Sequence, residues 1–93
     1  MIKENSYFEG QVKSLGFVSS GDTSSVGVMA KGEYTFTTQA PEKMTVIKGQ
    51  LTVKLPGSVS WQTFSAGQSF EVPGDDKFLV QVEVDSAYLC DYL

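Results

Sequence analysis

Apolar and polar residues alternate along most of the chain, in short runs separated by glycine and proline. A period of two is typical of β-strands with one buried face, because successive side chains point to opposite sides of a sheet. The runs with this pattern are GQVKSLGFV, SSVGVMA, EYTFTT, KMTVIKG, QLTVKL, SWQTFS, QSFEVP, KFLVQVEV and AYLCDYL. No run of helical length has the 3.6-residue spacing of an amphipathic helix. The pattern predicts an all-β sandwich or barrel of about nine short strands, with little or no helix.

Short turn sequences separate these runs. Lys31-Gly32 and Lys48-Gly49 predict tight hairpins, because glycine adopts the positive φ that a two-residue hairpin turn requires. The Pro-Gly pairs in LPGSVS and VPGDDK also predict turns. The polar segment SSGDTSS, residues 19–25, is interpreted as a solvated hairpin loop. The alternative is a nest of backbone N–H groups and hydroxyls that holds an anion.

The length of 93 residues favours a single domain spanning residues 1–93. A domain of this size has a small core, so we expect a homodimer to cover further apolar surface. No apolar run approaches the ~18 residues of a membrane span, and MIKENSYFEG lacks the apolar segment of a secretory signal. The single cysteine, Cys90, cannot form an internal disulfide. We therefore expect no membrane association and a cytoplasmic location.

The charged residues argue against a nucleic acid as a partner. The formal net charge is −4, and all seven cationic residues are lysines. The lysines are scattered along the chain, whereas a nucleic-acid-binding protein usually presents a basic face. We therefore expect that the protein binds neither DNA nor RNA.

Two spaced motifs resemble those of the cupin family. In GEYTFTTQAPEKMTVIKG, Glu42 is followed after six residues by Gly49, as in the second half of the first cupin motif. In GQSFEVPG, residues 67–74, Gly67 is followed after five residues by proline and then glycine, as at the start of the second motif. About eighteen residues separate Gly49 from Gly67, which suits the short loop between the motifs. The resemblance implies a cupin-type jelly-roll β-barrel.

The histidine ligands of cupin metal sites have no counterpart here, since the chain contains no histidine. Residues 34–38 lie where the first motif has its histidines, and Lys77 and Phe78 lie where the second motif has one. Imidazole suits late first-row metals, and no clustered carboxylates indicate a Mg²⁺ or Ca²⁺ site. We expect a metal-free cavity, which argues against a metal-dependent isomerase or oxygenase.

Across almost its whole length the chain resembles the small bacterial cupin family called pyrimidine/purine nucleoside phosphorylase. The segments that carry the resemblance are YFEGQVKSLGF, SVGVM, GEYTF, PEKMTVIKG, Trp61-Gln62, VPG and YLCDYL. The resemblance implies phosphorolysis of several nucleosides, in which nucleoside and phosphate give free base and ribose 1-phosphate. Inorganic phosphate would be the co-substrate, and no cofactor is expected. The alternative is a non-catalytic cupin that binds a small polar ligand.

Phosphorolysis requires groups that orient the ribose and the base. Glu42 is the candidate catalytic residue, because it lies at the position of the cupin glutamate that faces the cavity. A carboxylate there would accept hydrogen bonds from ribose hydroxyls and favour positive charge on the ring. Aromatic stacking would accept purines and pyrimidines alike. The candidate substrate-binding residues are Tyr34, Phe36, Thr38, Gln81 and Tyr92.

The chain has no arginine, although the planar guanidinium group matches the geometry of phosphate oxygens. Other groups must therefore bind phosphate. Lys13 and Lys77 are the candidate phosphate-binding residues, with Ser14 and segment 19–25 as helpers. Without histidine, no Ser/His/Asp or Cys/His arrangement is available for covalent acyl chemistry. We expect Cys90 to be a small buried apolar residue rather than a nucleophile.

Overall fold

The computed structural model describes residues 2–93, which form ten β-strands joined by short connections. The strands are β1 Lys3–Tyr7, β2 Val12–Ser19, β3 Asp22–Met29, β4 Gly32–Thr37, β5 Glu42–Lys48, β6 Gln50–Lys54, β7 Gln62–Ser65, β8 Ser69–Val72, β9 Lys77–Val82 and β10 Ser86–Tyr92. A 3-10 turn, Phe8–Gly10, follows β1. The predicted all-β class is confirmed. None of the described residues belongs to a helix long and apolar enough to cross a membrane.

The nine predicted strands are confirmed, and β1 is an additional one that the alternation did not predict. Most residues of β1 are polar and exposed. The strand is at the edge of its sheet and pairs only with β2 among the described strands. Neither of its faces therefore shows the apolar alternation on which the prediction depends.

Two antiparallel sheets lie face to face around a common core. The large sheet has the strand order β1-β2-β3-β10-β5-β8, and the small sheet has the order β4-β9-β6-β7. Strands that are distant in sequence lie side by side, such as β3 beside β10 and β4 beside β9. This connectivity confirms the predicted jelly roll. Because none of the ten described strands belongs to both sheets, the barrel is not closed into one continuous sheet.

The predicted hairpins at Lys31-Gly32 and Lys48-Gly49 are wrong, because the chain crosses between the sheets at both places. β3 and β5 belong to the large sheet, whereas β4 and β6 belong to the small sheet. Gly49 does have the positive φ that the turn sequence suggests, at 85°. The positive φ of Gly49 allows the chain to cross from one sheet to the other, rather than to reverse direction within one sheet.

The reversal between β2 and β3 is a hairpin, as predicted, but it takes only two residues. Ser19 pairs with Asp22, and the two residues between them, Ser20 and Gly21, have φ of 50° and 86°. Positive φ at both positions is what a type I′ turn requires. Most of segment 19–25 is therefore strand rather than open loop, and Ser24 and Ser25 are buried.

Inward-facing side chains of both sheets form the core. On β9, for example, Phe78, Val80 and Val82 are buried, and the residues between them are more exposed. A row of aromatic rings joins the sheets through Phe64, Phe70, Phe78 and Phe36, with successive ring centroids 4.7, 6.1 and 5.6 Å apart. The apolar residues with the least exposure are Val12, Met29, Val46, Leu51, Val53, Val72 and Val80.

The outer faces of the two sheets differ in polarity. On the large sheet, Leu15, Val26 and Leu89 lie side by side in register, and Val28 lies in the next outward-facing row. Leu15, Val26 and Val28 are exposed although they are apolar. The central row of the small sheet consists of Glu33, Gln81, Thr52 and Thr63. The apolar face is the one that a partner would cover.

We expect two copies of the chain to pair through this outer face of the large sheet. Six strands about 4.8 Å apart and up to eight residues long give a face on the order of 700 Å². A standard interface buries ~800 Å² on each partner. Val26→Lys would bury a charge without a partner, so the mass in sedimentation should fall from twice 10.1 kDa to 10.1 kDa.

Thr52→Lys is the matched control, because Thr52 lies on the polar outer face of the small sheet. This variant should sediment like the unmodified protein. A monomeric unmodified protein at micromolar concentration would contradict the homodimer. Dissociation by Thr52→Lys alone would place the interface on the other sheet.

Candidate functional site

A cavity of about 130 Å³ lies between the sheets. Alternation along β10 places Tyr88, Cys90 and Tyr92 on its inner face, and Glu42 is paired with Tyr92 on the neighbouring strand. These four side chains line the cavity, and Phe36 of β4 lines it from the small sheet. The cavity therefore has a polar wall of carboxylate, thiol and phenols, and an apolar wall of aromatic carbon.

Glu42 and Cys90 form a hydrogen-bonded pair in this polar wall. The Cys90 thiol donates to Oε1 of Glu42, with Sγ and Oε1 3.4 Å apart. Burial raises the pKa of Glu42, although the hydrogen bond from Cys90 acts in the opposite direction. Burial, and then the charge of Glu42, raises the pKa of the Cys90 thiol well above its ordinary value. The thiol thus stays protonated and positions the carboxylate, and it is not an activated nucleophile.

Hydroxyl groups surround the carboxylate on the large sheet. The Tyr92 and Ser25 oxygens are 3.3 Å apart and share a hydrogen bond in which either is the donor. Ser14 also faces the cavity and is buried. Burial raises the pKa of Tyr92, so its phenol is neutral near pH 7. The wall offers donors and acceptors that suit a polyhydroxylated ligand such as a sugar.

Tyr88 is packed closely over the floor of the cavity. It lies opposite Gly27 of β3, and its ring occupies the space that a side chain at position 27 would fill. A Cβ added to Gly27 would lie 2.6 Å from Cζ of Tyr88. The absence of a side chain at Gly27 thus makes room for the Tyr88 ring.

Three of the predicted site residues are brought together: Glu42, Phe36 and Tyr92 all line the cavity. Tyr34 and Thr38 do not line it. The Tyr34 hydroxyl donates to the Ala30 carbonyl at 2.6 Å, and the Thr38 hydroxyl donates to the Pro73 carbonyl at 2.6 Å. Both residues are buried, and these contacts hold the fold together around the site.

Gln81, Lys13 and Lys77 also lie away from the cavity. Gln81 is on the outer face of the small sheet, where its amide donates to Glu33 at 3.2 Å. Lys13 is exposed between the inward-facing Val12 and Ser14, so it points outward. Lys77 lines a separate depression. Substrate or phosphate contacts by these three residues stay predictions, and the structure does not bring them to Glu42.

The sequence did not point to Tyr7, which lines the cavity, or to Phe8, whose ring packs against Phe36 of the cavity wall. Tyr7 lines the cavity and is 46% exposed, so it lies at the mouth. The Phe8 ring packs against Tyr34 and Phe36, with centroids 5.0 and 5.5 Å away. Phe8, Glu9 and Gly10 have φ of 53°, 56° and 88°, a left-handed turn that sequence does not reveal. The only sequence hint was two adjacent aromatics in an otherwise polar segment.

The cavity does not fit the metal centre of the cupin family. Among the described residues that line it, the only carboxylate and thiol are those of Glu42 and Cys90. Within residues 2–93, no three or more acidic or thiol side chains form a group that could hold a metal ion. With no histidine in the chain, the donor set is unsuited to a late first-row metal.

The fold is similar to that of solved cupins. An RmlC-like cupin from Shewanella frigidimarina superposes with a TM-score of 0.77 over 99% of this chain and 83% of that one, at 17% identity. The chain therefore has a cupin-type jelly-roll fold, and a carboxylate, a thiol and hydroxyls line its cavity.

Comparison of sequences identifies the family. Residues 2–92 match the family described as pyrimidine/purine nucleoside phosphorylase. A protein of that name from Photobacterium profundum is 63% identical over 100% of both chains. A crystal structure of a Vibrio parahaemolyticus protein described as of unknown function has a TM-score of 0.97 and 60% identity, over 100% of this chain and 99% of that one. The chain belongs to the pyrimidine/purine nucleoside phosphorylase family.

Proposed function

We propose that the protein phosphorolyses purine and pyrimidine nucleosides to free base and ribose 1-phosphate, with broad base specificity. The observation that carries the proposal is the position of Glu42 in a cavity between hydroxyl groups and aromatic rings. The name of the family and of its curated relatives supports the same reaction. Nucleosides and phosphate would be its partners, and a cytoplasmic location stays a prediction.

The reaction exchanges one bond at C1′ of the ribose. A phosphate oxygen forms a bond to C1′ while the bond between C1′ and the base nitrogen breaks. The base keeps the electron pair of that bond, and the proton of hydrogen phosphate ends on the base. The sugar ring gains positive charge in the transition state, and the Glu42 carboxylate stabilises that charge. Ser14 would supply a hydrogen bond to a ribose hydroxyl.

Aromatic side chains account for broad acceptance of bases. Phe36 and Tyr7 line the cavity, and the Phe36 ring is held by contacts with Phe8 and Phe78. Each base has a π face, so stacking does not discriminate between purines and pyrimidines. A site built to hydrogen-bond one base edge would reject others strongly.

The direct test is to incubate the purified protein with inosine or uridine and phosphate, and to separate the products by chromatography. We expect free hypoxanthine and free uracil, formed only when phosphate is present. Binding of both nucleosides without release of base would favour the alternative, a non-catalytic cupin.

We expect phosphorolysis to survive exhaustive treatment with EDTA. The physical reason is the donor set, since Glu42 and Cys90 supply the only carboxylate and thiol among the described residues of the cavity and the chain has no histidine. Initial rates before and after chelation should agree. Loss of activity that one divalent metal restores would show that this expectation is wrong.

The raised pKa of Glu42 gives an expected pH dependence. Only the ionised carboxylate stabilises positive charge, and burial raises its pKa above that of an exposed glutamate. As the pH falls toward this raised pKa, kcat should fall before exposed carboxylates titrate. The measurement is kcat from about pH 4.5 to about pH 8. A decline of the same shape in Glu42→Gln would assign it to another group.

A further inference from the structure

A second depression lies beside the cavity. This groove has a volume of about 340 Å³ and shares Tyr7, Ser25 and Tyr92 with the cavity. Because the same three residues line both spaces, the groove and the cavity are neighbours. A molecule in the groove would therefore lie next to one bound in the cavity.

The groove presents the inward-facing side of β1. Lys3 pairs with Gly16, Gly16 with Ser25, and Ser25 with Cys90, so these four residues form one row across the large sheet. Cys90 and Ser25 in this row face the cavity. Lys3 lies on the same face and lines the groove, together with Asn5 two residues later. Gly16 has no side chain, which leaves the space between Lys3 and Ser25 open.

The electrostatics of the groove suit an anion. Among the described residues that line the cavity and the groove, Lys3 is the only lysine, and none of those lining the groove is acidic. The depression beside Lys77 contains Asp75 and Asp76, which would repel an anion. The Glu42 carboxylate lines the cavity and does not line the groove.

We propose that the groove is the phosphate subsite, in which the Lys3 ammonium, the Asn5 amide and the Ser25 hydroxyl bind inorganic phosphate. The same groups bind the phosphate of ribose 1-phosphate. The assignment rests on the proposed phosphorolysis and adds to it the position of the second substrate. Lysine is a common phosphate ligand as a point charge, and neutral donors complete the oxygen coordination. Tyr92 lines both the groove and the cavity.

Kinetics with varied phosphate test the subsite. In Lys3→Ala, the KM for phosphate should rise at least about tenfold, as expected for loss of a charged hydrogen bond, while the KM for uridine changes little. Lys3→Arg keeps the charge and should restore most of the phosphate affinity. Lys31→Ala is the control, because Lys31 is an exposed lysine of the β3–β4 crossing and lines neither the groove nor the cavity.

A binding measurement separates failure of the subsite from failure of the reaction. In the absence of nucleoside, titration with inorganic phosphate should shift the backbone amide resonances of Lys3 and Ser25, and Lys3→Ala should abolish the shifts. If the protein proves inactive, phosphorolysis is refuted, but these shifts would still support an anion site. Absence of the shifts, an unchanged KM for phosphate in Lys3→Ala, or a larger rise in Lys13→Ala or Lys77→Ala would overturn the assignment.

Discussion

Glu42→Gln should lower kcat for phosphorolysis by about 10²–10³-fold, the loss typical of one preorganised electrostatic contact. The amide keeps the shape of the side chain and still accepts a hydrogen bond from Cys90 at the oxygen position. The negative charge is lost, so the positive ribose ring of the transition state loses its stabilisation. KM should change far less than kcat, because the ground-state nucleoside carries no such charge. Steady-state kinetics with uridine measure both.

Glu71→Gln is the matched control. Glu71 is an exposed residue of β8 beside Lys43 of β5, outside the cavity. It should keep the kinetics of the unmodified protein. Circular dichroism should show that both variants are folded, since an isosteric change at a partly buried position alters stability little. A folded Glu42→Gln variant with near-normal kcat would show that Glu42 does not stabilise the positive charge and that another group does.

Gly49→Ala should destabilise the fold by about 2–5 kcal/mol. Gly49 has a φ of 85° at the crossing from β5 to β6, and a left-handed conformation costs an L-residue roughly 1–2 kcal/mol. An added Cβ would also overlap Oγ of Ser86 and lie 2.9 Å from its Cβ, which costs about 1–3 kcal/mol more. Ser86 cannot move aside easily, because its hydroxyl is hydrogen-bonded to the Gln50 backbone and is buried.

Gly57→Ala separates the two contributions. Gly57 has a φ of 76°, and no atom lies within 4 Å of the place where its Cβ would be. This variant should lose only the roughly 1–2 kcal/mol of the left-handed conformation. Urea unfolding of the two variants measures the difference. Equal losses would mean that Ser86 rearranges and that the crossing tolerates a side chain.

Strand positions could be predicted because they depend on local alternation of apolar residues, which located nine strands. The position of Glu42 was predicted from the resemblance of its segment to the first cupin motif, and Glu42 does line the cavity. β1 was missed because an exposed edge strand buries no regular apolar face. A two-residue periodicity reports burial, so it detects only strands that bury one side.

Which sheet the chain joins after a turn could not be predicted from the sequence. Lys48-Gly49 and Ser20-Gly21 both contain a glycine with positive φ, and only the second lies between paired strands. Glycine permits a sharp change of direction in either case. Whether the next strand pairs with the previous one depends on contacts with strands distant in sequence, such as those of β5 with β10 and of β6 with β9.

The pairing of distant strands also explains why the sequence led to Lys13, and not Lys3, as a phosphate-binding candidate. Lys13 and Lys3 are both near the N-terminus, and sequence alone gives no reason to prefer Lys3. Register decides the matter, because it places Lys3 in the row of Ser25 and places Lys13 in the row of the outward-facing Val28.

Tyr34 and Phe36 illustrate a further difficulty. They are two residues apart on one strand, yet only Phe36 lines the cavity, while the Tyr34 hydroxyl is bonded to Ala30. Alternation places both rings on the inner face, but it does not tell which part of that face is filled and which part is left open.

The most direct measurement is ³¹P NMR of the purified protein with phosphate and either inosine or uridine. We expect a ribose 1-phosphate resonance to grow with both nucleosides, in step with free base, and to grow about 10²–10³-fold more slowly with Glu42→Gln. Absence of this phosphate ester with every nucleoside would refute phosphorolysis. An equal rate with Glu42→Gln would refute the assignment of the reaction to this cavity.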